Sequence, residues 1–253
     1  MKRRALLIGI DSYLLLGELK YARRDAEAFG AMLQERCGFD PSYVTVMTCR
    51  AEGGLRAQSN FIERALDGLR EERDLDLLIV GFWGHGFAPQ PGRRYLCGVD
   101  TSEDDLERTA VSLDLVKTML TQVQARDTLI ILDCCQNSPA GRSTAAEPIS
   151  AGEEAALHSM ARDIQTVRMQ DEPLSMPTVA VLSSCREGEK AYEWDQHQHG
   201  IFTAHLLDGL RSGVTSVAQL SNYTFDRVVR TANELHHQRQ RPYLTIEGRG
   251  DIV

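Results

Sequence analysis

Leu77-Leu78-Ile79-Val80 runs without a polar interruption into Gly81-Phe82 and then Trp83-Gly84-His85-Gly86. An apolar run that does not alternate is what a strand buried on both faces of a parallel sheet requires. Leu6-Leu7-Ile8 and Leu129-Ile130-Ile131-Leu132 have the same character. Working outward, the apolar patterns predict strands over Ala5–Ile10, Tyr43–Thr48, Leu75–Phe82, Thr128–Leu132, Thr178–Leu182 and Tyr243–Ile246. Helical spacing predicts helices over Ala22–Gln34, Ser59–Arg70, Leu113–Gln122, Phe202–Arg211 and Val217–Leu235. In the first of these, Ala22, Ala26, Phe29 and Leu33 make one apolar face, and Gly38 ends it. Strands alternating with helices specify an α/β fold, a doubly wound, mostly parallel sheet with helices on both faces. In such sheets functional residues gather beyond the C-terminal strand ends.

The alternation covers the whole chain, so 1–253 reads as a single domain with no internal repeat and no linker. Only 136–177 breaks the pattern, its first half rich in Pro, Gly, Ser and Ala, with a weak helix expected over Glu153–Val167. Connections of this length between core strands are uncommon and often functional.

Composition narrows the function classes. Hydrophobic residues make up 42% of the 253 and charged residues 25%, which is ordinary for a chain that buries a core. A net charge of −8 speaks against a nucleic-acid surface. Lys2-Arg3-Arg4 before an apolar run imitates a signal peptide, but Asp11 stops the run and no cleavage site follows. With no apolar stretch near the roughly 18 residues that span a bilayer, the chain reads as cytoplasmic and free of the membrane. Cys37, Cys49, Cys97, Cys134, Cys135 and Cys185 include no CxxC pair, so structural zinc is not expected, and adjacent Cys134 and Cys135 disfavour a disulfide framework.

Two strand ends carry chemistry. One terminates in Trp83-Gly84-His85-Gly86, the other in Asp133-Cys134-Cys135. If those strands are neighbours, His85 and Cys135 face one crevice. A thiol near its free pKa of about 8.5 needs a neighbouring imidazole to become a nucleophile at neutral pH. Glycines on both sides of His85 suggest a sharp turn there, and the amides of Gly86 and Cys135 suit an oxyanion hole. Taken alone, a histidine after a strand is more often a turn residue, and a buried cysteine is usually a small apolar side chain.

In order along the chain stand Ala5-Leu6-Leu7-Ile8-Gly9-Ile10, Leu19-Lys20-Tyr21-Ala22-Arg23-Arg24-Asp25-Ala26, Gly84-His85-Gly86 and Leu96-Cys97-Gly98-Val99-Asp100. Asp133-Cys134-Cys135, Ser184-Cys185 through Glu193, and Gly200-Ile201-Phe202-Thr203 follow. With these seven pieces the chain resembles the caspase-like cysteine peptidases over nearly its whole length, and most closely the metacaspases and their bacterial relatives. The resemblance implies an endopeptidase with His85 and Cys135 as catalytic pair, Cys135 being selected over Cys134 because it stands two residues after Asp133. It implies that Asp25 and Asp133, with Glu193 as a weaker candidate, line a pocket for a basic P1 side chain. Paired carboxylates suit a guanidinium. Other roles for these acids are a cap or ion pair at Asp25, beside Arg23 and Arg24, and turn amides at Asp133. The resemblance further divides the domain into a larger part, 1–138, and a smaller part, 178–253, joined by 136–177. Arg142, Arg162 and Arg168 in that connection are candidate self-cleavage sites.

Departures from the family pattern also inform. Gln136-Asn137-Ser138 replaces His-Ser-Gly after the nucleophile, and Trp83 stands where a small residue is common. Asp100 is retained, but Ser112-Leu113-Asp114 lacks the adjacent acids of calcium-dependent members, so no metal or cofactor is expected. The partners implied are a protein or peptide substrate with a basic P1 residue and an activating partner. The competing readings are weaker. A phosphatase-like thiol loop needs five residues between Cys and Arg, and Cys135 to Arg142 encloses six. Gly9-Ile10-Asp11 fits no nucleotide-binding pattern. A non-catalytic caspase-like interaction module is the alternative; the presence of both His85 and Cys135 counts against it. His236-His237 and Arg249-Gly250-Asp251 read as helix-end and tail features without a function.

Overall fold

The structure is a computed structural model that describes residues 1–90, 92–137, 152–171, 177–186, 188–248 and 250–252. Its centre is one sheet built from β1 (Arg3–Gly9), β2 (Val44–Thr48), β3 (Leu75–Gln90), β4 (Arg93–Leu96), β5 (Val111–Ser112), β6 (Ala125–Asn137), β7 (Thr178–Ser183) and β10 (Tyr243–Glu247). A separate two-stranded ribbon pairs β8 (Glu193–Trp194) with β9 (His199–Gly200). The helices are α1 (Ala22–Arg36), α2 (Ser59–Gly68), α3 (Leu106–Thr109), α4 (Leu113–Thr121), α5 (Gly152–Asp171), α6 (Ile201–Arg211) and α7 (Val217–His236).

Strand order is β10-β7-β6-β3-β1-β2, parallel throughout except at β10. The expected α/β sheet with helices on both faces is therefore the observed one. Strand periodicity sorts the side chains into two cores. Leu6, Ile8, Leu78, Val80, Phe82, Ile130 and Leu132 pack with α2, α4 and α5 on one face. Leu7, Ile79, Trp83, Leu129 and Ile131 pack with α1, α6 and α7 on the other. Each fully buried Leu or Ile contributes about 1.5–3 kcal/mol, so a strand buried on both faces needs no polar position. Gly9 lets α1 close over the end of β1, because a Cβ there would lie 2.6 Å from the Cβ of Ala26 and 2.7 Å from the Ala22 carbonyl oxygen.

Two expectations are corrected. β3 does not end at Phe82, nor β6 at Leu132. Each finds in the other a parallel partner as far as Phe87↔Asn137, and β4 folds back antiparallel on the end of β3, so both strands extend past the sheet's core. His85 therefore lies inside an extended strand, and its flanking glycines are not at a turn. Within 136–177 the expected helix over Glu153–Val167 is present as α5, Gly152–Asp171, because Leu157, Met160, Ala161 and Ile164 fall on one stripe that buries against the sheet. α7 ends at His236, with His237 in the left-handed region at φ 53°, which confirms the helix-end reading of that pair.

Candidate active site

The β3–β6 ladder aligns Trp83 with Asp133, Gly84 with Cys134 and His85 with Cys135. The two strand ends singled out in the sequence are thus neighbours, with His85 and Cys135 in one row. Gly86 lies one row on, opposite Gln136 and, on its other side, Leu96. Cys134 is buried and belongs to the core with Leu132 and Phe82, away from the face that holds Trp83.

His85 is held from three directions. Its backbone N–H donates to the Tyr13 hydroxyl at 2.8 Å, and the Tyr13 ring lies 4.9 Å from the imidazole, tilted by 41°. Nε2 is 2.8 Å from the Gly17 carbonyl oxygen. A carbonyl can only accept, so Nε2 carries the hydrogen and Nδ1 of the neutral ring keeps its lone pair. Burial lowers the His85 pKa, and the Gly17 carbonyl opposes that shift. The imidazole is therefore neutral at physiological pH, as a general base must be.

Beside His85 opens a cavity of about 160 Å³ whose walls include Trp83, Asp25, Asp133, Tyr192, Glu193 and Gly200. The three acids named from the sequence are all there. Asp25 and Asp133 are 2% and 9% exposed. Their carboxylates flank Gly200, where an added Cβ would stand 3.1 Å from one and 3.3 Å from the other. The Gly200 N–H donates to Asp25 Oδ2 at 2.9 Å and the Thr203 hydroxyl to Asp133 Oδ2 at 2.7 Å. Burial raises the Asp133 pKa to about 6, against the lowering effect of the Thr203 hydrogen bond. Burial and then the nearby charge of Asp133 raise that of Asp25 well above the carboxylate range. Two desolvated acids facing one slot are costly unless a cation enters between them.

Glu193 differs. Its Oε1 accepts the Lys20 and Tyr21 backbone N–H groups at 2.5 and 3.1 Å, which secures the start of α1 beside the cavity. Of the other roles considered, Asp25 makes no contact of this kind with Arg23, whose guanidinium instead meets Glu27 and Asp11.

The sequence marked Trp83 only as a departure from the family pattern and gave several other residues of the site no role. Trp83, fully buried, donates its indole N–H to the Thr203 hydroxyl at 2.7 Å, so Thr203 relays between Trp83 and Asp133. Trp83 thus closes the back of the pocket. His199 Nδ1 lies 2.5 Å from Asp25 Oδ1. Despite this ion-pair geometry, burial, Arg24 and Arg211 lower its pKa to about 4, so the imidazole is neutral and shares a hydrogen with the Asp25 carboxyl. Thr203 and Gly200 do stand in one of the seven quoted pieces. Tyr13, Gly17 and His199 had no sequence signal, because their roles arise only when loop and strand meet.

The remaining sequence candidates do not join this cluster. Asp100 accepts the Ser59 N–H at 2.8 Å at the start of α2. Arg142 lies outside the described residues. Arg162 is exposed on α5. Arg168 must be withdrawn as an accessible cleavage site. It is 7% exposed, and its guanidinium donates to the Leu120 and Ala125 carbonyls and the Thr128 hydroxyl at 2.9, 3.2 and 2.7 Å.

The caspase-domain family model matches residues 2–250. The chain belongs to the caspase-domain family. Membership is consistent with a cysteine peptidase that acts on protein. No curated protein matches it. The crystal structure of protein GSU0716 from Geobacter sulfurreducens is similar in fold, with a TM-score of 0.65 at 18% identity. That likeness covers 99% of this chain and 95% of the other. Among the described residues no helix is long and apolar enough to cross a membrane.

Proposed function

We propose that this caspase domain is a cysteine endopeptidase that cleaves after Arg or Lys, with Cys135 as nucleophile and His85 as its base. The observation that carries the reading is the row His85↔Cys135 beside a cavity holding two buried carboxylates. Nδ1 of His85 takes the thiol proton as the sulfur attacks the scissile carbonyl carbon. The Gly17 carbonyl supports the imidazolium that results. The oxyanion that forms is met by the amides of Gly86 and Cys135. On collapse the peptide C–N bond breaks, His85 returns the proton to the leaving amine, and a thioester remains. Water, deprotonated by the same nitrogen, then hydrolyses the thioester and regenerates the thiol.

The P1 cation enters between Asp25 and Asp133, where it replaces their lost hydration and permits both to ionise. Glu193 sets the position of α1 and adds negative potential. An aspartate in P1 would meet like charge in a desolvated slot. Processing belongs to the same reading. Residues 1–138 form the larger part and 178–253 the smaller, and cleavage after Arg142 is favoured, with Arg162 second. Cleavage at Arg162 would first require α5 to open locally.

A fluorogenic panel with Arg, Lys, citrulline or Asp in P1 tests the assignment, with Cys135→Ala as control. The expected order is Arg and Lys well above citrulline, with nothing for Asp. Preference for Asp would reject the pocket, and activity in Cys135→Ala would reject the nucleophile. Intact masses of the same two proteins report on processing. Fragments ending at Arg142 only in the active protein support it, whereas an active, uncut chain shows that processing is not required.

A further inference from the structure

A second cavity is larger than the one that holds the acids. It lies on the same face of the sheet but at the opposite end, between α1, α6, α7 and the β-strands, with a volume of about 610 Å³. Volumes of 300–1,000 Å³ are those of small-molecule sites, and such sites are mostly apolar with a few polar groups that orient the ligand. Leu33 from α1, Ile79 and Ile131 from the sheet, Leu206 from α6 and Leu220 from α7 supply the walls.

Charge is confined to its rim. The lining contains no acidic side chain, and its charged side chains are Arg3 and Arg36, in a chain whose net charge is −8. Neither arginine forms an ion pair among the described residues. Arg3 stands at the start of β1. One of its terminal nitrogens donates to the Cys37 carbonyl, and its Cζ lies 5.9 Å from the centroid of the Phe39 ring. Its Nε is buried with no hydrogen-bond partner. Arg36 is exposed in the last turn of α1. An apolar chamber with two uncompensated guanidinium groups at one end calls for an alkyl tail with an anionic head.

We propose that this cavity binds a single-chain acyl carboxylate, the tail between the sheet and the three helices and the head at Arg3 and Arg36. A free acid is favoured over a lipid still in a bilayer because the walls are core residues from three helices and the sheet rather than an exposed face. The proposal does not depend on the peptidase reading, since no residue of the acidic cavity takes part.

Titration calorimetry of the whole chain with hexanoate, decanoate and tetradecanoate below their micelle concentrations tests it. One saturable site is expected, tightening about fourfold per added methylene until the chamber is full. Dodecyltrimethylammonium, which reverses the head charge, should bind at least about tenfold more weakly than dodecanoate. Arg36→Glu, a surface change remote from the peptidase site, should weaken dodecanoate by at least about tenfold and leave peptide cleavage unchanged. Leu206→Trp, which fills the chamber, should abolish binding; if that variant does not fold, Arg36→Glu decides. Absence of saturable binding would overturn the proposal, as would equal affinity for both head charges or an unaltered affinity in Arg36→Glu. Binding seen only with phosphatidylglycerol vesicles and not with free acids would also overturn it, by assigning this face to a membrane.

Discussion

Asp133→Asn should make the protein more stable and a worse enzyme, by amounts that follow from one buried carboxyl. An aspartate whose pKa rises from 3.8 to about 6 on folding is disfavoured as an anion. The folded-state value lies above the unfolded one. Stability contributed by the protonated form is therefore complete below 3.8 and lost as pH rises through 6. At pH 7.5 the loss is complete and amounts to about 3 kcal/mol, whereas near pH 5 it is about half as large. Asparagine removes the charge, keeps an oxygen for the Thr203 hydroxyl and presents an amide to Asp25. The variant should therefore melt about 6–12 °C higher than wild type at pH 7.5, a gap that narrows on acidification. Its kcat/KM for a P1 Arg substrate should fall by about 10- to 100-fold, the worth of a charge-assisted hydrogen bond of about 1.5–3 kcal/mol. Differential scanning fluorimetry from pH 5 to 8 and a P1 Arg substrate measure both. If Asp133→Asn is destabilised at pH 7.5, or its advantage grows on acidification, burial is not what governs this carboxyl.

Cys135→Ala and His85→Ala should each lower peptide turnover at least about 1,000-fold with the circular dichroism spectrum unchanged. Cys134→Ala, which trims a buried side chain packed with Leu132 and Phe82, should keep most of the activity; the reverse pattern would move the nucleophile. Cleavage should continue in excess chelator, because Asp100 is engaged at the start of α2 and the acids expected beside Asp114 are absent. Loss of activity restored by calcium alone would point to a site built from other residues. Arg168→Ala should cost about 3 kcal/mol in urea unfolding, since it strands two carbonyls and a hydroxyl in the core. Arg162→Ala, on the exposed side of the same helix, should stay within about 0.5 kcal/mol of wild type.

The parallel sheet was legible because Leu77–Val80 and Leu129–Leu132 bury both faces, and a strand with two dry faces leaves a run rather than an alternation. The acids Asp25 and Asp133 were legible through the family pattern, although one lies in a helix and the other at a strand end, 108 positions later by the difference of their numbers. What periodicity missed is instructive. The ends of β3 and β6 carry Gly84, His85, Gly86 and Gln136, which no propensity favours as strand, and the two extend only because each supplies the other's ladder. The ribbon of β8 and β9 has two residues on each side, too few for any period, yet it sets Gly200 between the carboxylates. Arg168 read as a candidate cleavage site because its burial leaves no mark in the sequence. Nothing in one dimension reveals that the last turns of α5 lie over the end of α4.

The position of α5 between β6 and β7 has a further consequence, for how the gene can be divided. A chain ending after Asn137 would own β1 to β6, and a second beginning at Gly152 would own α5, β7 and β10. Separated, the first exposes the β6 edge from Asp127 to Leu132, and the second exposes the edge of β7 that pairs with it from Thr178 to Ser183. It also bares the stripe of Leu157, Met160, Ala161 and Ile164. Each half is thus a template for the other. The open reading frame can be written as two cistrons whose products complement, with the fold itself acting as the splice.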